Sequence, residues 1–341
     1  RELVYSTDRS GTPALWRTRA TPGSTPQPLR PSGENAQFVS VSRQKGNLAY
    51  TQAMTDINIW RLRLPIHGEP AGEWTRLLNS TREDSVAHYS PDGKHIAFRS
   101  DRSGVPAIWI SDAQGHQPVQ LLKTGALAGT VAWSPDSRSI AYDVLIDDTL
   151  QLLTVPASGG QPTQLTFDRS SHVLPQWSPD GRYLYYTSNR SGTWQVWRIL
   201  AAGGASTQIT QHGGCCARFS PDGKTIYYAK GYSAGGIWKA PADGGFEELV
   251  IPEVQAEYWG FWAVIEKGIY FLGGGTPGVP PPPPINFYDF STRRITTIAH
   301  HEKPGFLMDA YSYSVSPDGR YLLTSQLDTS GSDIMLVDAI H

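Results

Sequence analysis

Three stretches of the sequence concentrate the side chains that chemistry most often uses. In Gln211-His212-Gly213-Gly214-Cys215-Cys216-Ala217-Arg218, a histidine and two thiols are the residue types of a soft-metal site. Adjacent cysteines do not easily take two tetrahedral positions on one ion, and the chain has no Cys-x-x-Cys pair. His212, Cys215 and Cys216 are therefore weak metal candidates beside a strained vicinal disulfide or two plain small residues, and no metal or cofactor is expected. In Ala256-Glu257-Tyr258-Trp259-Gly260-Phe261-Trp262, flat rings could stack on a sugar or peptide, or could fill an irregular piece of fold. Gly231-Tyr232-Ser233-Ala234-Gly235 has the spacing of a hydrolase nucleophile elbow, which needs a strand before it and a helix after it. Here Tyr227-Tyr228 precedes and Ile237-Trp238 follows, two strand-like runs, so Ser233 reads as part of a hairpin loop and no catalytic residue is expected. Asp147-Asp148 reads as a solvated turn, and no phosphate-binding glycine loop or His-Glu-x-x-His pair is present.

These residues take their places from an internal repeat. Ser-Pro-Asp-Gly occurs at Ser90–Gly93, Ser178–Gly181, Ser220–Gly223 and Ser316–Gly319, with a near copy at Ser134–Ser137. Degenerate anchors fall at Ser42–Gly46 and near Val264–Gly268. Proline presets φ at the second turn position, and glycine takes the left-handed fourth. An aromatic precedes most of the serines (Tyr89, Trp133, Trp177, Phe219), and a β-rich run follows, such as Ile96-Ala97-Phe98. Then come a polar loop, a run holding a tryptophan (Trp60, Trp109, Trp197, Trp238), a Gly-Gly loop and a run like Gln164–Thr166. Four short strands in about 40–45 residues is the period of a β-propeller blade. The recurrent aromatics read as glue between neighbouring blades. Pro280–Pro284, between a second and a third strand, reads as a stiff surface loop, with a docking rod as the other possibility.

The second-strand pattern occurs eight times, because Leu3-Val4-Tyr5 also fits, and Thr7-Asp8-Arg9-Ser10-Gly11 repeats the polar loop. The expectation is a single all-β propeller over 1–341 with eight four-stranded antiparallel blades. Its units are 1–31 (first strand missing), 36–79, 84–123, 128–167, 172–210, 214–251, 257–299 and 310–341 (fourth strand missing), with the closing segment outside the sequence. Seven blades is the alternative, with Arg1–Arg17 as an appendage. In either, the connections from fourth to next first strand lie at one mouth of the channel. They bring together His88, His172, His212, Arg218, Tyr258, Trp259 and Trp262 as a ligand-binding pocket.

Composition narrows the function classes. The 341 residues are 11% aromatic with 34 Gly and 26 Pro, against both disorder and a helical fold. A net charge of −2 gives no electrostatic case for nucleic acid. No apolar run is long enough to span a bilayer, and Arg1–Arg9 has no signal-peptide core.

The repeats resemble those of TolB-like and WD-repeat-like propellers, which also occur in prolyl oligopeptidase-family enzymes. Four stretches look like the C-terminal propellers of bacterial CadC-like winged-helix regulators: Thr166-Phe167-Asp168-Arg169, Gly213–Ser220, Tyr258-Trp259-Gly260 and Ser330–Met335. The resemblance implies a non-catalytic sensing, binding or scaffolding domain of a larger bacterial protein, periplasmic or otherwise extracytoplasmic, with other domains upstream. Its ligand is expected to be a protein, peptide or glycan. The alternatives are a propeller enzyme such as a polysaccharide lyase, the propeller of a prolyl oligopeptidase-family peptidase, or a TolB-like periplasmic assembly protein.

Overall fold

The computed structural model describes residues 2–7, 13–29, 35–42, 47–65, 69–124, 128–274, 283–301 and 313–337. The loop 8–11, the anchor residues 43–46 and Pro280–Pro282 of the proline run lie outside them; Pro284 opens a strand. No helix among the described residues is long and apolar enough to cross a membrane.

The chain divides into two compact units, 57–327 and 1–56 with 328–341. In the first, five repeats fold as four-stranded sheets. Blade I is Asp84–Tyr89, His95–Ser100, Ala107–Asp112 and Val119–Lys123. Blade II is Ala128–Trp133, Ser139–Ile146, Thr149–Pro156 and Thr163–Gln164; blade III is His172–Trp177, Tyr183–Ser188, Gln195–Leu200 and Thr207–Gln208. Blade IV is Cys215–Phe219, Thr225–Ala229, Ile237–Pro241 and Glu248–Ile251; blade V is Trp262–Ile265, Gly268–Leu272, Pro284–Asp289 and Ile295–His300. All are antiparallel meanders. The second strands bury both faces: Ile96, Ala97 and Phe98 are consecutive and fully enclosed, because a neighbouring blade covers each side.

A sixth blade closes the unit with strands from both ends of its sequence. Ser314–Val315 pairs with the start of Tyr321–Val337, that strand pairs with Leu48–Arg63, and residues 59–62 of the latter pair with Trp74–Leu78. The Leu64 amide donates to the Arg320 carbonyl at 2.8 Å. Apolar seams then run round the unit without a break. Ala97 and Ile108 of blade I pack with Val131 and Trp133 of blade II. Ala141 and Leu152 meet Trp177 and Leu184, and Tyr185 and Val196 meet Ala217 and Ile226. Ile237 and Ile251 share a cluster with Phe271 of blade V and Leu62 and Leu322 of the closing blade. Ile59, Leu78 and Leu323 of that blade pack on Ala87 and Phe98 of blade I.

The architecture is the all-β propeller of four-stranded antiparallel blades that the repeat implies, with a different count. The described residues form seven sheets, where eight blades are expected, because strands of 36–79 and of 310–341 share one sheet. Within the 57–327 unit, the sheet that packs on blade I draws strands from both ends of that unit. Residues 48–63 form one unbroken strand because no glycine or proline lies between Leu48 and Arg63 to make a turn. The smaller unit holds the three-stranded sheet Glu2–Thr7, Ala14–Arg19, Gln27–Pro28, and Ala36–Val41 paired with 48–52. Its own core is Leu15, Leu29, Ala36, Leu48 and Tyr50.

Candidate functional site

Inner strands of the 57–327 unit converge on a channel and share a local defect. Blades I, III and IV each carry a β-bulge centred on a non-glycine residue of positive φ: Val86 at 54°, Leu174 at 59° and Cys216 at 56°. A left-handed residue of this kind is strained and persists only where its surroundings hold it. Here the preceding blade does so. The Val86 amide donates to Ser325 Oγ at 3.1 Å, the Leu174 amide to Asp143 Oδ1 at 3.2 Å and the Cys216 amide to Thr187 Oγ1 at 3.3 Å. Asp143 Oδ1 also accepts from the Thr130 amide at 3.0 Å and its hydroxyl at 2.8 Å. Burial raises the Asp143 carboxyl above its ordinary pKa, against these hydrogen bonds and the nearby Arg99 cation.

Past the bulges the channel pinches. A cavity of about 10 Å³, room for about one water, lies among His88, Thr130, Leu174, Cys216, Arg218 and Gly260. Gln176 and Arg218 line this cavity and also a second, open one of about 360 Å³, so they form the partition between the two. The open cup lies at the face of the Ser-Pro-Asp-Gly turns. Its wall is Pro91, Pro135, Pro179 and Pro221 from four of those turns, with Trp133, Trp177 and Phe219. The indoles are fixed by the preceding blade: Trp133 Nε1 donates to the His88 carbonyl at 3.0 Å and Trp177 Nε1 to the Ala132 carbonyl at 3.2 Å.

Arg218 is the ionisable side chain of this lining. Its guanidinium lies 5.8 Å from the Trp262 ring centroid, and Nη1 donates to the Ala217 carbonyl at 3.3 Å. Among the described residues no carboxylate forms an ion pair with it. Burial lowers its pKa from the ordinary arginine value. Burial, and then the Arg218 charge, drive His88 down to about 3, so that imidazole is neutral at physiological pH.

The structure thus brings His88, Arg218 and Trp262 together and separates the rest of the expected cluster. An inner strand runs from the fourth-to-first connection to the turn at the opposite face. Residues two before an anchor serine therefore end far from those that start the strand. His172 starts its strand, is fully buried, and has Nε2 3.0 Å from Asp168 Oδ1. Burial lowers its pKa despite that carboxylate. Exposed His212 faces Glu247 at 3.5 Å. Tyr258 is core, and Trp259 meets Tyr232 edge to face at 5.9 Å. Cys215 and Cys216 are buried free thiols, and their mutual hydrogen bond, with burial, pushes Cys215 well up. No three His, Cys, Asp or Glu side chains among the described residues are grouped to hold a metal ion. Ser233 sits in a short 3₁₀ turn between antiparallel strands, its hydroxyl donating to the Lys230 carbonyl.

Sequence reading missed Asp143, Gln176 and the turn prolines as site residues. Asp143 was detectable: it follows its anchor serine by the same interval as Arg99, Thr187, Ala229 and Ser325 follow theirs, and is a carboxylate within an apolar strand.

Residues 120–251 match the family of the TolB beta propeller domain. Across 98% of this chain and 80% of the other, the fold is similar to TolB from Acinetobacter baumannii, with a TM-score of 0.55 at 14% identity. A chain of a nidogen/laminin complex matches with a TM-score of 0.59 at 13% identity, over 81% of this chain and 99% of that one. A puromycin-hydrolysing peptidase of Mycobacterium tuberculosis matches with a TM-score of 0.52 at 14% identity, over 87% of this chain but 51% of its own. At these identities the likeness is one of fold: the blades of this chain form a β-propeller similar to that of TolB, and residues 120–251 match the TolB beta propeller domain.

Proposed function

We propose that this propeller is a non-catalytic binding domain, acting as a sensing or scaffolding part, that takes its protein, peptide or glycan ligand in the cup at the turn face. The observation that carries this reading is the cup itself: a concave wall of prolines and pinned aromatic rings with one cation at its base. Rigid rings and prolines lose little entropy on binding, which suits recognition more than turnover. The channel beneath narrows to the size of one water, so a ligand stops at Arg218. The regulator-like sequence stretches are consistent with an accessory sensory role.

The test is a peptide array and a glycan array probed with the full chain and with Gln176→Trp, which fills the cup. Ligands of the wild type should lose binding to the variant. Equal binding by both proteins overturns the assignment. A second reading, the propeller of a peptidase, rests on the match to the puromycin-hydrolysing enzyme. It predicts cleavage of array peptides once a hydrolase domain is supplied, and intact peptides count against it.

A further inference from the structure

The geometry points to a carboxylate as the group recognised at the base of the cup, presented by an apolar peptide segment and held by Arg218. This rests on the cup being the binding site and names what binds there. Three observations carry it.

First, Arg218 is a partly desolvated cation without a carboxylate partner among the described residues, and its one hydrogen bond is to the neighbouring carbonyl. Other arginines of the same repeats are paired: Arg102 with Asp84 at 2.8 Å, Arg190 with Asp168, and Arg198 with Asp243. A guanidinium held over an aromatic ring keeps its fork of donors free for a planar oxyanion.

Second, the surrounding wall has few polar groups to spare. The Trp133 and Trp177 indole N–H groups are committed to backbone carbonyls. The Ser220 hydroxyl of the lining is committed to Asp222 at 2.6 Å, and Val264 and the four prolines offer no side-chain donor. A glycan needs partners for many hydroxyls, since each one buried without a partner is costly. A short apolar segment with a single carboxylate needs one cation and a dry wall.

Third, the neighbouring histidine adds no second charge to the site, and Gln176 is the remaining polar side chain at the partition. The cup is therefore built for one negative group and not for a polyanion.

The experiment uses octapeptides in matched pairs that differ only by Asp or Glu against Asn or Gln, with uronic-acid oligosaccharides alongside. They are probed with the full chain, Arg218→Gln, Arg218→Lys and Gln176→Trp. The acidic member of a pair should bind the wild type at least roughly tenfold tighter, the scale of a charge-assisted hydrogen bond to arginine. Arg218→Gln should erase that difference and leave the amide members bound as before, which also shows that the variant is folded. Arg218→Lys should keep part of it. Equal binding within pairs, or a preference that survives Arg218→Gln, overturns the carboxylate assignment and leaves the cup as a binding site. Uronic oligosaccharides bound in place of acidic peptides overturn the peptide assignment. Binding indifferent to Gln176→Trp removes both this inference and the site on which it rests.

Discussion

At the scale of single residues, each strained position is held by a side chain from the preceding blade, and Asp143 is the ionisable one among these holders. One of its oxygens accepts three hydrogen bonds, two from Thr130 and one from the Leu174 amide across the seam. Gly129 makes room for the other oxygen: a Cβ there would lie 1.7 Å from Asp143 Oδ2. Gly129→Ala must move the carboxylate off its donors, and should cost about 3 kcal/mol or more in urea unfolding. The same carboxylate sets a pH dependence. Its folded pKa lies above the ordinary 3.8 because of burial, so its contribution to stability is fully present below that value. It is lost as pH rises through the folded pKa. Thermal melts from pH 3.5 upward should show the wild type losing ground to Asp143→Asn, whose amide does not titrate; a constant difference would contradict the assignment. Spacing singles out Asp143 as a carboxylate at a repeat position, but not the bulge it holds, because a bulge is a property of paired strands and the sequence shows one strand at a time.

At the scale of elements, the turn was the most legible feature, and its chemistry explains why. In all five copies the serine hydroxyl donates to the aspartate two residues on at 2.6 Å, as Ser178 does to Asp180. The same Ser178 oxygen accepts the Tyr183 amide at 2.9 Å. Ser178→Ala removes both bonds at a buried position and should lower stability by about 1–2 kcal/mol in denaturant titration. The imperfect copy carries its own test. Ser137 sits at φ 60°, where its counterparts are glycines, and its hydroxyl accepts the Asp92 amide of blade I at 3.1 Å. Ser137→Ala keeps the strain and loses the bond, whereas Ser137→Gly loses the bond and relieves the strain. The alanine variant should therefore melt below the glycine variant, by about 1 kcal/mol of stability. The third-strand tryptophans, read as seam residues, have a second use. Cations of the polar loops lie over their rings, Arg102 on Trp109, Arg190 on Trp197 and Lys230 on Trp238, which pins each loop to its own blade.

At the scale of the whole molecule, the repeat made the fold class plain but not the number of sheets. Counting anchors assigns every second strand its own blade. It cannot say that two copies 236 residues apart, one ending at Leu78 and the other starting at Ser314, share one sheet. That pairing is non-local, and only the absence of a turn signal between Leu48 and Arg63 hinted at it. The expected cluster is divided for a related reason: the sequence places residues along a strand, while the direction of the strand through the channel decides which rim they reach. If the closing blade is one cooperative element, amides of 57–63 and 321–327 should exchange with deuterium at matching rates. Deleting 314–337 should speed exchange in 57–63 and 74–78 at least as much as in blade III. Protection in 57–63 that survives the deletion would refute the shared sheet.

That shared sheet also fixes a timetable. Residues 57–78 leave the ribosome well before their partners at 314–327, the second segment starting 236 residues after the first one ends. At about 5–20 residues per second the interval is roughly 12–50 s. Through all of it Ile59 and Leu78 have no Leu323 to cover them, and the far flank of blade V has no neighbour. The nascent protein is thus an open arc with two sticky ends, able to join the arc of another copy before it meets its own tail. Slow translation or crowded polysomes should then yield linked chains where dilute refolding yields single ones.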